Sequence, residues 1–179
     1  SKLWAMKNWG NKKYYVDKVL NDNGIKKIRQ QLASLVWGDN EISDRWDDFR
    51  TNTKGIGIAM MSEILCHVHP TKHLLWNRRT WVGLNYLGVS SLPRYDYQMT
   101  GERYKELSGT AKKIQRELEK QSGQTKTLLD VDYLIWREMQ VTENLETLFR
   151  QAKAREDTAE IESKEISKFI HDEIRDKIA

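Results

Sequence analysis

Lys54-Gly55-Ile56-Gly57-Ile58-Ala59 combines residue types that can hold an anion without a metal. A tight reversal between two crossing helices needs residues without a Cβ at Gly55 and Gly57, around the apolar plug Ile56, and the amides of Gly57, Ile58 and Ala59 would then point outward at the start of a helix. Lys54 adds a mobile positive charge beside them, so a phosphate is the expected occupant of this turn. One such contact positions a duplex but reads no bases. The same residues also describe a plain corner between two helices. The Rossmann fingerprint is excluded, because no strand precedes the turn and its third glycine is absent.

A second group lies downstream. Asn77, Arg78 and Arg79 stand between Trp76 and Trp81. A polar triplet between tryptophans suits a groove or a pocket in which an aromatic face stacks on a base and an amide bonds its edge. The competing reading buries both tryptophans in the core and leaves the arginines in solvent. Arg94, Tyr95 and Tyr97 could add stacking or phosphate contacts, and Lys112 and Lys113 offer a second phosphate-contact surface. Asp130 and Asp132 are the carboxylates to consider for acid–base work. At i and i+2 on a helix they diverge by roughly 200°, so capping, or pairing with Arg78 or Arg79, is the expected use. Cys66, His67, His69 and His73 cluster in sequence, but zinc needs a fourth ligand and a geometry that a helix end at Cys66 does not offer. No metal and no cofactor are expected.

The elements that must position these groups read as helices almost throughout. Tyr15, Val19 and Leu20 begin an amphipathic segment that Asn21-Asp22-Asn23-Gly24 stops. Ile28, Leu32, Leu35 and Val36 mark a helix from Ile25 to about Trp37. Ser43 is the expected cap of a short helix carrying Trp46 and Phe49. Helices are expected again from Ile58 to about Cys66, from Thr80 to Leu87, along Tyr104, Leu107, Ala111, Ile114 and Leu118, and from Leu128 to Met139. Residues 90–100 read as irregular. Beyond them, Leu145, Leu148 and Phe149, then Ile161, Ile166, Phe169, Ile170, Ile174 and Ile178, give apolar stripes that must be buried on the domain, in a dimer or against a larger protein. The fold class is therefore all-α, with a helical domain over 1–140 and a helical extension over 141–179 for packing or assembly.

Charge agrees with a polyanionic partner. The 179 residues carry a formal net charge of +4, yet residues 1–126 hold 22 basic and 13 acidic side chains against 8 and 13 in the remainder. The positive balance belongs to the part with the glycine turn. One cysteine excludes an intramolecular disulfide framework. No apolar run approaches the roughly 20 residues that span a bilayer, and no secretory signal is visible, so a cytoplasmic protein without a membrane partner is expected. Opening on Ser1 rather than Met, the chain is expected to be either a trimmed form or a piece of something longer.

The run FRTNTKGIGIAMMSEIL resembles the helix-hairpin-helix motif of DNA-binding proteins, and with HPTKHLLWNRRTWVGLNYLGV it resembles the core of the helix-hairpin-helix DNA glycosylase superfamily. The Leu87-Gly88 pair falls where the helix after the catalytic segment ends in that family. The resemblance implies a DNA-facing scaffold, but its chemistry is missing. The catalytic aspartate falls at Asn77, the lysine nucleophile of bifunctional members falls at Ala59, and no cysteine cluster exists for an iron–sulfur loop. Met61 stands where a small alanine is usual. Over residues 50–137, adding Leu75-Trp76-Asn77-Arg78 and LDVDYLIW from Leu129, the chain also resembles a helical domain of restriction-related and other anti-phage proteins, some attached to nucleotide-dependent translocases.

These readings converge on non-catalytic binding of double-stranded DNA through a helix-hairpin-helix phosphate clamp, in a setting of antiviral defence and within a larger defence protein or complex. Its phosphate contacts are Lys54, Gly55, Gly57, Ile58, Ala59, Arg78, Arg79, Lys112 and Lys113. Its base or groove contacts are Trp76, Asn77, Arg94, Tyr95 and Tyr97. The alternatives are a divergent DNA glycosylase or lyase using Asp130 or Asp132, and a helical assembly module that self-associates through its C-terminal helix.

Overall fold

Helical spacing of the apolar residues is realised throughout the part of the chain that the computed structural model describes, residues 3–7 and 10–138. A 3-10 turn at Trp4–Met6 precedes α1 (Lys12–Asn23), α2 (Ile25–Trp37), α3 (Ile42–Asn52), α4 (Ile58–Val68), α5 (Arg78–Tyr86), α6 (Gly101–Ser122) and α7 (Leu128–Tyr133). A second 3-10 turn spans Asp96–Gln98, and α7 runs on into a π-helical turn at Leu134–Glu138. No strand occurs among the described residues. The expected extension over 141–179, its apolar stripes and Met139 lie outside them. No helix among the described residues is long and apolar enough to cross a membrane.

The core forms where α3 crosses α6. Trp46 and Phe49 of α3 meet Tyr104 and Leu107 of α6, and all four are buried. The Trp46 and Tyr104 rings stack with centroids 4.0 Å apart and 16° between planes, a geometry worth about 1 kcal/mol beyond the area buried. Each ring also has its polar atom satisfied. Trp46 Nε1–H donates to the Met99 carbonyl at 3.1 Å, and the Tyr104 hydroxyl donates to the Leu74 carbonyl at 2.7 Å. At its start α6 comes so close to α3 that a Cβ on Gly101 would sit 1.9 Å from the Ser43 carbonyl oxygen. Ser43 is consequently not the cap predicted from sequence. α3 begins two residues earlier than that cap allows, at Ile42 after Glu41, with no side-chain cap, and α6 holds its second turn: the Gly101 N–H donates to Asp47 Oδ1 at 2.8 Å.

Between α4 and α5 the chain passes through residues 73–76 without regular structure, and Leu74, Leu75 and Trp76 are buried. Backbone groups removed from water must find partners, and here side chains from three helices supply them. Ser108 of α6 accepts from the Leu74 N–H at 3.2 Å, while Tyr104 satisfies its carbonyl. Thr80 of α5 donates to the Leu75 carbonyl at 2.9 Å. Ser62 of α4 accepts from the Trp76 N–H at 2.9 Å and lies 3.1 Å from its carbonyl oxygen. Upstream, the Leu128 N–H at the start of α7 donates to the Pro70 carbonyl at 2.8 Å. Four helices are thus tied to one short passage.

His73 leads into that passage. It is buried against Tyr104, with ring centroids 6.2 Å apart. Burial, then His69, Arg45, Lys112 and Lys72, push its pKa down to about 4. The folded protein therefore keeps His73 neutral where an unfolded chain, with a histidine pKa near 6.5, already binds a proton. Stability from this site is present at neutral pH and is lost as pH falls from about 6.5 toward about 4, at no more than about 1.4 kcal/mol per pH unit. Urea unfolding at pH 7 and pH 5 is expected to show this fall in the wild type and a shallower one in His73→Gln. Equal slopes in the two proteins would exclude His73 as the source.

The turn between α3 and α4 uses its two glycines differently. Gly55 has φ +80°, and a Cβ there would also lie 3.1 Å from Val19 Cγ2. Gly57 has φ −83°, and a Cβ there would meet nothing within 4 Å. The reversal needs a glycine only at Gly55, which corrects the expectation that both positions must lack a side chain. Gly55→Ala is expected to lower the unfolding free energy by roughly 1–2 kcal/mol, the cost of a left-handed backbone carrying a Cβ, while Gly57→Ala leaves it nearly unchanged in the same urea titration.

Candidate functional site

Lys54 is exposed, and the backbone beneath it is held by α1. The Asn23 carboxamide accepts from the Lys54 N–H at 2.8 Å and donates to the Lys54 carbonyl at 2.9 Å and to the Val19 carbonyl at 2.7 Å. Nothing in the sequence announces a side-chain pair 31 residues apart. The consequence is that the Lys54 amide is already used, so the donors of the turn must come later. They do. α4 has no side-chain cap, and its first backbone bond outside the turn runs from Met61 N–H to Gly57 O, so the amides of Ile58, Ala59 and Met60 precede it. With Gly55, Ile56, Gly57 and Tyr15 they line an open depression of about 470 Å³, bordered by Ala5 and Asp96. Ile56 packs against the core from the turn, as expected of the plug between the glycines.

A second cavity, of about 420 Å³, adjoins the first and shares Ile58 and Asp96 with it. Its apolar walls are Trp76, Trp81 and Pro93; its polar rim is Asn77, Arg78, Arg94 and Tyr95. Trp76 and Trp81 are buried core residues that also line the cavity. Tyr95 and Tyr97 are 61% and 71% exposed and stack on one another at 5.6 Å. The Gln98 side-chain Oε1 organises this rim, accepting from the Arg94 and Tyr95 amides at 2.7 and 3.0 Å.

Asn77 has a structural duty as well. α5 starts at Arg78 rather than Thr80 because the Asn77 Oδ1 caps it, accepting from the Arg79 and Thr80 amides at 2.8 and 3.1 Å. Arg79 leaves the site. Its guanidinium lies 3.7 Å from the centroid of the Trp4 ring and 6.0 Å from that of Trp136, which places it away from both depressions, in contrast to Arg78. Burial lowers its pKa and the charge of Asp132 opposes that shift. Asp132 itself is pushed up by burial, against the pull of Arg79 and His67. On the same side, the buried Glu63 carboxylate accepts from the Trp4 and Ala5 amides, and His67 Nε2 stands 3.8 Å from it.

Asp130 closes the start of α7, its Oδ2 accepting from the Thr127 amide at 2.6 Å and hydroxyl at 2.7 Å. The two aspartates therefore divide between capping and Arg79, and neither borders a cavity described above. Lys112 and Lys113 lie on α6 and line neither depression. Among the described residues no three His, Cys, Asp or Glu side chains converge as a metal site would require. Cys66 is buried, with its thiol pushed up to about 12, chiefly by burial, and His69 Nε2 lies 3.0 Å from the Val36 carbonyl oxygen.

Sequence reasoning missed Asn23, Asp96 and Gln98. Asp96 is visible as a carboxylate between Tyr95 and Tyr97, but only the fold puts it at the junction of the two depressions. The chain matches no protein-family model, and no curated protein or solved structure is significantly similar to it.

Removing the cap should be measurable without any ligand. Asn77→Ala is expected to destabilise the domain by about 1 kcal/mol in urea unfolding, and Asn77→Ser, which can still cap α5, by clearly less.

Proposed function

We propose that this domain binds double-stranded DNA without covalent chemistry, as a helix-hairpin-helix module in a protein of defence against foreign DNA. The observation that carries the reading is the uncapped start of α4, whose free first-turn amides open into a depression beside an exposed lysine. A phosphate there gains several N–H donors and the positive end of the helix at once. Asp96 on the far border favours placing that phosphate toward Gly55 and Lys54. The excess of basic over acidic side chains in residues 1–126 supports a polyanion as the partner. Arg78 and Arg94, on the rim of the adjoining cavity, are the arginines best placed to extend the contact.

The glycosylase alternative is weakened by its own candidate acids, since Asp130 caps α7 and Asp132 faces Arg79. The assembly alternative concerns residues 141–179, which lie outside the described part.

Lys54→Glu is expected to weaken binding to a mixed-sequence duplex uniformly and to flatten the dependence of log affinity on log salt by about one unit, read by fluorescence anisotropy. Affinity and salt slope both unchanged would remove the turn from the interface.

A further inference from the structure

Outside the two depressions, Arg45, His69, Lys72, His73 and Lys112 meet at one place. Arg45 of α3 and His69, just past α4, reach the same end of α2. Arg45 Nε donates to the Asn40 carbonyl at 2.9 Å and its Nη1 to that of Leu35, while His69 Nε2 lies 3.0 Å from the Val36 carbonyl oxygen. The turn that follows brings in the next two. The amides of Lys72 and His73 both donate to the His69 carbonyl, at 2.9 and 3.2 Å, and the two imidazole centroids are 5.9 Å apart. Lys112 comes from α6, one turn beyond Ser108, whose hydroxyl accepts from the Leu74 amide next to His73.

The electrostatics of this cluster are one-sided. The charges acting on His73 are those of His69, Arg45, Lys112 and Lys72, with no carboxylate among them. None of the five residues forms an ion pair among the described residues. The negative end of the α2 dipole answers Arg45 and His69, whose hydrogen bonds go to its last carbonyls. It leaves Lys72 and Lys112 without a counter-charge. It also leaves His73, only 6% exposed, with no hydrogen-bond partner for its ring nitrogens among the described residues. Buried polar groups are normally paired, and what this group lacks is an acceptor carrying negative charge. Donors arriving from three separate elements suit a tetrahedral oxyanion, with oxygens on every side, better than a planar carboxylate.

We infer that Lys72, Lys112 and His73 form a binding site for a phosphate-type dianion, supplied as a free phosphate group or by a nucleic-acid strand, with Arg45 and His69 behind it. The site stands on the cluster alone. Only a strand as the source of the phosphate rests on the DNA-binding reading. A charge linkage follows. Like charges and burial hold the empty site's imidazole neutral down to a pH of about 4, and a dianion reverses the sign of its surroundings. The anion therefore favours protonated His73, and by reciprocity it binds more tightly as pH falls.

The test uses the 179-residue chain and sulfate, which stays a dianion from neutral to mildly acidic pH, so that only the protein titrates. Imidazole Cε1–H NMR titrations are run in sulfate and in chloride of equal ionic strength, the His73 resonance being assigned by its loss in His73→Gln. Sulfate is expected to raise the His73 midpoint by about one pH unit or more, which corresponds to about tenfold tighter binding to the protonated form. Chloride should raise it clearly less. Lys72→Gln combined with Lys112→Gln should abolish the difference between the salts, and Lys54→Glu should leave it intact. If acid unfolds the chain before His73 titrates, urea unfolding at pH 5 replaces the NMR readout. Sulfate should then stabilise the wild type over chloride by more than it stabilises the double variant.

Equal effects of the two salts, or a sulfate effect that survives the double substitution, overturn the proposal whatever a duplex does. With the sulfate effect present, duplex anisotropy identifies the source. A flatter salt dependence in the double variant means a strand phosphate, and an unchanged one means a free anion. A sulfate effect with no duplex affinity in any variant would sink the DNA-binding reading and leave this one standing. Duplex affinity lost in Lys54→Glu without any sulfate effect would do the reverse.

Discussion

An irregular backbone crossing a hydrophobic core must have its N–H and C=O groups satisfied, and in this protein that requirement organises the site. Leu74, Leu75 and Trp76 run buried between α4 and α5 with no strand to pair with. An unpaired group there would cost on the order of 1–3 kcal/mol, and this passage has several. Ser62, Thr80, Tyr104 and Ser108 answer them from three different helices. Each of these polar residues is itself buried, and each is explained by this one passage. The arrangement fixes where Trp76 ends and Asn77 begins, and so where α5 starts relative to α4.

From that anchoring follows the shape of the candidate site. Ser62 lies one turn into α4 from Ile58 and binds the backbone of Trp76, so the uncapped start of α4 and the indole wall of the cavity are parts of one hydrogen-bonded unit. Asn23 adds an independent constraint from α1, pinning the turn at Lys54 by both its amide and its carbonyl. The charged groups sort themselves by the same geometry. Arg78 stays on the cavity rim, while Arg79, one residue on and rotated by about 100° around the helix, turns to Trp4 and Asp132. There it belongs with the buried Glu63, whose carboxylate is stabilised by two backbone amides of the N-terminal turn.

Much of this architecture was legible beforehand. The periodicity of Ile28, Leu32, Leu35 and Val36, or of Tyr104, Leu107, Ala111, Ile114 and Leu118, places one face of a helix in a core whatever the core contains, and α2 and α6 follow it. The apolar run from Leu128 predicts a helix, and the chain is helical there through Glu138. Helix starts were less legible. Ser43 and Thr80 are good caps by type, yet α6 packing on α3 and the side chain of Asn77 decided both boundaries. Of the site residues, the glycine turn and the Trp76–Arg78 run could be named from type and order. Asn23, Asp96 and Gln98 could not, because their roles depend on partners or surroundings brought together only by the fold.

The sequence by itself determined that this chain folds as helices around an aromatic core, that its positive charge lies in the first 126 residues, and that the turn at Lys54–Gly57 would be tight. Those properties are local or additive: propensity, spacing and charge are carried by each residue wherever the chain goes. Tertiary structure alone decided which glycine is conformationally required, which arginine lines the cavity, that Asp130 caps α7 while Asp132 is buried away from both depressions, and that those depressions share Ile58 and Asp96. Those outcomes depend on the directions of side chains from helices far apart in sequence. Directions are set when buried polar groups find their partners, and the partners here are supplied by the packing of α4, α5 and α6 around one irregular passage.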